Sequence, residues 1–304
     1  MSEQLINRRP ARYVLKSNGP DVGTFVGCHK TGADVQAVLE ADGKIRASSF
    51  ILMDFVEGVE MGVGAYFNGT DFLEPACLDW EHKRFFPGDL GELTGEMGTV
   101  VTYSRTKTFF YRTLAKMAPL LKENGYCGYI NLNTIVNEQG IWPIEFTCRF
   151  GYPGYAILDP LQRTAWGDLL RSMLNHSTLQ FDTEPGFAVG LVVTTPPFPY
   201  YRETVPEPIG LPILFEGDLS PTERRHLHYG EVGLKDGMLV TSGASGYTLV
   251  ITGTGATIEA ARHAANSLVQ KVVVPNARYR IDIGQRLIEG EFNKLQAWRL
   301  LDRQ

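Results

Sequence analysis

The segment Ile144-Glu145-Phe146-Thr147-Cys148-Arg149 constrains this chain more than any other. It lies in the second of two strand-like stretches, residues 129–136 and 141–148, joined only by Asn137 to Gly140. Successive side chains on a strand point to opposite faces, so Glu145, Thr147 and Arg149 share one face. A carboxylate, a hydroxyl oxygen and a guanidinium on one face suit a magnesium–polyphosphate site. The same alternation is what a half-exposed edge strand with a solvated polar face shows. Cys148 falls on the opposite face, as a packed thiol rather than a nucleophile.

A second segment runs Glu81-His82-Lys83-Arg84, Gly88-Asp89, Gly91, Thr94-Gly95 and Met97-Gly98. The whole of 79–98 is rich in glycine and charge and has little periodicity, so it reads as a long loop; such loops are functional or disordered. Its glycines allow backbone N–H groups to approach an anion, and Lys83 and Arg84 supply charge. A solvated basic loop has the same composition. Gly253-Thr254-Gly255 lacks the third glycine of a dinucleotide fingerprint and reads as a plain turn. His226 and His228 have no second metal-binding cluster to complete them and read as a solvated basic turn.

Around these segments the chain alternates strands and helices. Strands are expected at 12–16, 24–30, 49–56, 61–67, 187–194 and 247–252, and helices at 33–41, 108–124, 158–174 and 257–272. Phe110, Leu114, Met117 and Leu121 build one apolar stripe on the second helix. Asn68-Gly69 and Lys235-Asp236-Gly237 mark turns. The polar stretch 177–186 reads as a domain boundary. The 29 Lys and Arg against 34 Asp and Glu give a net charge of -5, which argues against nucleic-acid binding through bulk charge. No apolar run reaches the ~18 residues of a membrane span, and the N-terminus carries no secretory signal. Cys28, Cys77, Cys127 and Cys148 are scattered, as free thiols in a reducing cytoplasm are.

Taken in order, these motifs resemble the glycinamide ribonucleotide synthetase family, also called phosphoribosylamine–glycine ligase, an ATP-grasp family of purine synthesis. Its D-H-K-R…G-D…G…T-G-G-M-G string corresponds to Glu81-His82-Lys83-Arg84, Gly88-Asp89, Gly91 and Thr94-Gly95-Glu96-Met97-Gly98. Its Y-x-G strand corresponds to Tyr126-Cys127-Gly128, and its I-E-F-N-C-R-F-G to Ile144 through Gly151. Two tail segments, 234–243 and 279–284, also match. The resemblance implies an α+β chain: an incomplete ATP-grasp small lobe over 1–59, a core lobe over 60–181 and a small mixed α/β domain over 187–290. It implies ATP and magnesium as cofactors, with manganese as a substitute. It places Lys16 on the ATP phosphates, Met53, Asp54 and Val56 at the adenine hinge, and Glu60 on the ribose. Glu145 matches a metal ligand, and Thr147 stands at the second ligand, an asparagine in the family. Asn133, counted back along the preceding strand, stands where other ATP-grasp enzymes place a Glu or Gln ligand. Lys83 and Arg149 would face phosphate or acyl phosphate.

The departures bear on function. The phosphate loop G-K-G-V becomes Gly23-Thr24-Phe25-Val26, and G-G-R becomes Gly243-Ala244-Ser245. D-P-E becomes Tyr152-Pro153-Gly154, which removes two acids beside the expected substrate pocket. The family's N-terminal domain has no counterpart before Arg12. The expected activity is ATP-dependent ligation of glycine to phosphoribosylamine through an acyl phosphate. Alongside it stand an inactive remnant, a split-enzyme subunit with a separate N-terminal-domain partner, and a ligase for another acid or amine.

Overall fold

The computed structural model describes residues 6, 9–17, 24–41, 43, 45, 49–176, 180–200 and 209–302. Gly23 of the expected phosphate loop lies outside them. The chain divides into two compact units, residues 1–58 and 59–304.

In the first unit, β1 (Tyr13–Ser17) is the middle strand of an antiparallel sheet, between β2 (Thr24–Val26) and β3 (Phe50–Asp54). Tyr13 and Leu15 point from β1 into a core shared with Val35 and Leu39 of helix α1 (Ala33–Ala41). Alternation therefore puts Lys16 on the half-exposed face of β1. Met53 is paired with Val14 and Asp54 with Tyr13 in the ladder. The Asp54 carboxylate forms an exposed ion pair with Arg9 at 3.2 Å.

The second unit begins with three long strands, β4 (Val59–Asn68), β5 (Cys77–Phe86) and β6 (Leu90–Thr102). Short helices α2 (Lys107–Arg112) and α3 (Ala118–Glu123) lead to the hairpin β7 (Cys127–Asn137) and β8 (Gly140–Thr147). Helices α4 (Gly154–Leu158) and α5 (Trp166–Leu174) follow, then β9 (Phe187–Thr194) and β10 (Leu214–Phe215). The remainder holds α6 (Pro221–Arg225), β11 (Leu227–Tyr229), β12 (Val232–Lys235), β13 (Met238–Thr241), β14 (Tyr247–Gly255), α7 (Ile258–Val269), β15 (Val272–Val273) and α8 (Phe292–Ala297). Eight strands form one antiparallel sheet in the order β11-β14-β9-β6-β5-β4-β7-β8. One face packs Met61, Val63, Leu78, Trp80, Val100, Ile130 and Leu132 into the main core. Among the described residues, no helix is long and apolar enough to cross a membrane.

Several sequence expectations are corrected. Residues 79–98 are not a loop but most of two paired strands. Leu78, Trp80 and His82 are buried on one face of β5 while Asp79, Glu81 and Lys83 alternate with them. The stretch 108–124 is broken at Thr113, whose ψ of -96° leaves the helical region. A 3-10 turn, Leu114–Met117, follows, and Pro119 sits in the first turn of α3, where its missing N–H costs nothing. The stripe survives the break, with Phe110, Leu114 and Leu121 all buried. The stretch 158–174 is broken in the same way by Pro160 in a 3-10 turn, Asp159–Leu161. The boundary expected within 177–186, of which 177–179 lie outside the described residues, opens no further compact unit. β9 pairs with β6 on one side and β14 on the other, so the chain after 187 continues the sheet that starts at Val59. The segment 253–255 is strand, not turn. A Cβ on Gly253 would sit 2.3 Å from the Ala265 nitrogen, so the glycine lets α7 lie against β14. His226 is half-buried and shares a 2.8 Å hydrogen bond with Thr252, so the basic turn is not simply solvated. Cys148, just past the end of β8, is exposed rather than packed.

Candidate active site

The face of β5-β4-β7-β8 opposite the main core carries a ladder of polar side chains. Glu60, Gly62 and Gly64 on β4 lie between Asp79, Glu81 and Lys83 on β5 and Asn131 and Asn133 on β7. On the far side, Asn133 is paired with Glu145 and Asn131 with Thr147. The two glycines make this face work. A Cβ on Gly62 would meet the Asp79 carboxylate at 2.2 Å, and one on Gly64 would meet the Tyr129 hydroxyl at 1.8 Å. With no side chains there, bonds cross over β4: Asn131 Nδ2 donates to Asp79 Oδ2 at 2.6 Å, and Asn133 Nδ2 to Glu81 Oε2 at 3.3 Å.

Lys83 Nζ lies 2.7 Å from Glu60 Oε1 and 3.1 Å from Glu81 Oε2. Burial alone would lower the lysine pKa, but the two carboxylates outweigh it and hold the ammonium charged. The face opens on a cavity of about 570 Å³, lined by Asp79, Glu81, Lys83, Glu96, Asn131, Asn133, Glu145, Thr147 and Arg149 among others. Its wall continues through Phe150, Tyr152 and Tyr155, at and beyond the chain's turn into α4. The structure thus brings together Lys83, Asn133, Glu145, Thr147 and Arg149, with Glu60 bound to Lys83 beside them. It adds four residues the sequence reading left without a role. Asp79 and Asn131 stand two positions before Glu81 and Asn133, a period-2 signal that was readable. Glu96 lies where the β5–β6 ladder shifts register between His82 and Arg84, which no periodicity reports. Glu81 was visible in its motif.

The Glu81-His82-Lys83-Arg84 motif is split between faces. His82 is buried on the core side, its Nδ1 3.2 Å from the Trp80 carbonyl and its Nε2 accepting from the Gly284 N–H at 3.2 Å. Burial, reinforced by Arg280 and Arg286, lowers it to about 4, so it is neutral and structural.

Asp79 is pushed up to about 8, first by burial and then by the Glu81 charge, against the pull of Asn131 and Lys83. Glu96 is pushed up by burial and by Glu81 and Asp79. A carboxyl that keeps its proton when folded and releases it when unfolded stabilises the chain at low pH and loses that effect as pH rises through the folded value. Denaturation midpoints are therefore expected to fall between pH 5 and pH 8, on the order of 1 kcal/mol per pH unit for each such group. Asp79→Asn should flatten the slope by about half, since Glu96 titrates in the same sense. An unchanged slope in that variant, followed by circular dichroism, would refute the burial of a protonated Asp79.

A family model described as phosphoribosylglycinamide synthetase, ATP-grasp (A) domain, matches residues 6–155. The phosphoribosylamine–glycine ligase of Leptospira interrogans serovar copenhageni is 30% identical over 301 aligned positions, covering 90% of this chain and 66% of that protein. This chain belongs to the phosphoribosylamine–glycine ligase family. The namesake from Ralstonia nicotianae is 26% identical, over 93% of this chain and 68% of its own. The chain spans about two thirds of the length of these curated relatives. The crystal structure of phosphoribosylamine–glycine ligase from Thermotoga maritima superposes with a TM-score of 0.73 at 24% identity, over 92% of this chain and 71% of that one. The biotin carboxylase domain of the Hydrogenobacter thermophilus 2-oxoglutarate carboxylase, in complex with MgADP, reaches 0.60 at 11% identity, over 100% of this chain and 68% of its own. Both likenesses identify the ATP-grasp fold, an α+β architecture.

Proposed function

We propose that this chain carries the catalytic centre of an ATP-dependent carbon–nitrogen ligase that joins glycine to phosphoribosylamine, as in purine synthesis. In that reaction a glycine carboxylate oxygen takes the γ-phosphoryl group of ATP, and ADP leaves. The amine nitrogen then attacks the acyl carbon, phosphate leaves, and the amine gives up a proton. The observation that carries this reading is the single face on which Lys83, Arg149, Asn133, Glu145 and Thr147 line one cavity. Catalysis of phosphoryl transfer rests on positioning and on neutralising charge. Lys83, kept protonated by Glu60 and Glu81, and Arg149 at the cavity wall supply fixed positive charge.

The carboxylate, amide and hydroxyl oxygens of Glu145, Asn133 and Thr147 form an all-oxygen donor set, which suits a hard divalent cation. Among the described residues no three His, Cys, Asp or Glu side chains group as a complete metal cage. Magnesium typically takes one or two carboxylates, substrate phosphates and several waters, and Glu145 is the one carboxylate of this set. When bound at Glu145, Thr147 and Asn133, magnesium, or manganese in its place, would neutralise phosphate charge. In the first unit, Lys16 and the backbone at Met53, Asp54 and Val56 are proposed for the nucleotide. Glu60 is proposed for the ribose, in competition with its bond to Lys83.

A ligase for a different acid or amine is the second reading. It is favoured by Tyr152 and Gly154, which line the cavity where the family string has acids. Calorimetric titration with Mg·ATP tests both, with micromolar binding expected. No detectable binding would sink the nucleotide assignment. Product formation with glycine and phosphoribosylamine then separates the two readings, and turnover that needs a second protein would identify a split enzyme.

A further inference from the structure

One wall of the cavity is aromatic where the family string is charged. Tyr152, at the place of the first acid of D-P-E, and Tyr155 both line the cavity and are 53% and 45% exposed. Each is backed by a second ring, Tyr152 by Tyr247 at 4.4 Å between centroids and Tyr155 by Trp166 at 4.6 Å. Rings held from behind and left half open in a concave site are contact surface for a ligand. Tyr247 is itself fixed by Glu231. That carboxylate accepts from the N–H groups of Ser245, Gly246 and Tyr247 at 3.1, 2.6 and 3.2 Å and from the Ser245 hydroxyl at 2.8 Å. A Cβ on Gly243 would lie 2.5 Å from the carboxyl carbon, so the glycine lets the loop close on it. Three consecutive N–H groups of this kind make a seat for an anion. Here the chain's own carboxylate fills the seat, and Ser245 stands where the family's G-G-R string has its arginine. Among the described residues that line the cavity, the cations are Lys83 and Arg149, both already given to phosphate. This wall thus offers rings and hydroxyls, and no positive charge for a further anionic group.

We propose that Tyr152 and Tyr155 form a stacking seat, and that the acid or the amine ligated in this cavity carries an uncharged flat ring. The proposal deepens the second reading above, a ligase for another acid or amine, and rests on it. A flat ring packed offset or edge-on against tyrosine gains more than its buried area alone supplies. Gly154 lies between the two tyrosines in the chain, and a Cβ there would meet nothing within 4 Å, so room is left beside the rings. The cavity is shared with Lys83 and Glu145, so a substrate seated by its ring keeps its acid or amine group within the same space. Glu231 acts as a positioning residue, through the loop that sets Tyr247 behind Tyr152. The Tyr247 hydroxyl donates to the Glu96 carbonyl at 3.2 Å and fixes the other end of the same ring.

The test uses the full chain and two matched probe pairs, benzylamine with cyclohexylmethylamine and phenylacetate with cyclohexylacetate. Within each pair the charge is the same and the flatness of the ring differs. In calorimetry without nucleotide, the flat member of one pair is expected to bind about fivefold tighter or more. The pair that responds assigns the ring to the amine or to the acid. Tyr152→Phe should keep this preference, while Tyr152→Ala and Tyr155→Ala each lose it. Glu231→Gln turns an amide N–H toward the loop's own N–H groups and should reduce the preference through Tyr247. Equal binding within both pairs, or a preference that survives both alanine changes, would overturn the seat. So would turnover of glycine with phosphoribosylamine that neither benzylamine nor phenylacetate inhibits. With Mg·ATP present, glycine with benzylamine, or methylamine with phenylacetate, should release ADP. A flat-ring preference with no ADP release in either pairing would strike the ligase reading and the ring's place on a substrate, and would leave the seat itself, since the preference is read without nucleotide.

Discussion

Replacing Glu145 with glutamine is expected to lower ATP turnover by about 100-fold or more while the chain stays folded. The substitution keeps size and hydrogen-bonding capacity and removes one negative charge from the cavity wall. Glu145 is half-exposed on β8, so the loss of that charge changes stability little. Its effect falls on the cation, because Asn133 and Thr147 are neutral donors that bind a divalent ion more weakly than a carboxylate does. A defect of this origin has a signature. Raising magnesium, or replacing it with manganese, should recover part of the lost turnover in Glu145→Gln, while the ladder partner change Asn133→Asp should strengthen metal binding in the unaltered background. Steady-state turnover across a metal titration, with circular dichroism on the same samples, gives the answer. Near-normal turnover in a folded Glu145→Gln chain would remove Glu145 from the metal site, and Thr147 and Asn133 with it.

The parts of the molecule that were legible in the sequence are those where one requirement dominates. The β7–β8 hairpin has apolar residues at alternate positions and a short polar connection, and its register puts Asn133 opposite Glu145. Helices α1 and α7 have a clear apolar face. The turn at Asp236-Gly237 uses two residues with positive φ, 49° and 79°, as its sequence suggests. Legibility failed where two requirements share one segment. β5 must bury Leu78, Trp80 and His82 while offering Asp79, Glu81 and Lys83 to the cavity, so its charge hides its strand character. β6 carries glycines at 91, 95 and 98, one of which, Gly98, would place a Cβ 2.5 Å from the Gly190 carbonyl across the ladder. Glycines needed for close approach of strands look, in a sequence, like those of a loop. The two long helical stretches break for local reasons that an apolar stripe does not report, since the backbone leaves the helical region at Thr113 and tightens into a 3-10 turn at Pro160. In the site, the charged motif pointed to the correct strand, but not to which residues face the cavity. Only the pairing across Gly62 and Gly64 decides that.

The second large effect is expected at Arg280, far along the chain from the cavity. Its side chain is 2% exposed and lies 2.9 Å from Asp89 and 2.7 Å from Asp282. It also donates to the Arg84 carbonyl at 3.0 Å, and Asp282 in turn accepts from the Gly88 N–H at 2.9 Å. The segment 280–282 thus clamps the tip of the β5–β6 hairpin, whose strands carry Glu81, Lys83 and Glu96. Arg280→Ala leaves two partly buried aspartates facing each other with no cation between them, apart from the contact of Asp89 with Arg286 at 2.8 Å. Breaking a buried pair by removing one partner destabilises by about 3–5 kcal/mol. For a unit of this size that lowers the thermal midpoint by roughly 10 °C. Arg280→Lys should recover little, because one ammonium cannot reproduce bonds that use Nε, Nη1 and Nη2 on three separate partners. Chemical denaturation of the two variants beside the unaltered chain measures this, and a loss under 1 kcal/mol in Arg280→Ala would show that the clamp is dispensable. If the clamp matters as expected, Arg280→Ala should also weaken Mg·ATP binding near its midpoint temperature but not well below it. That temperature dependence separates loss of the hairpin from loss of a substrate contact, and it ties the tail motif around Arg280 to the cavity through strand position alone.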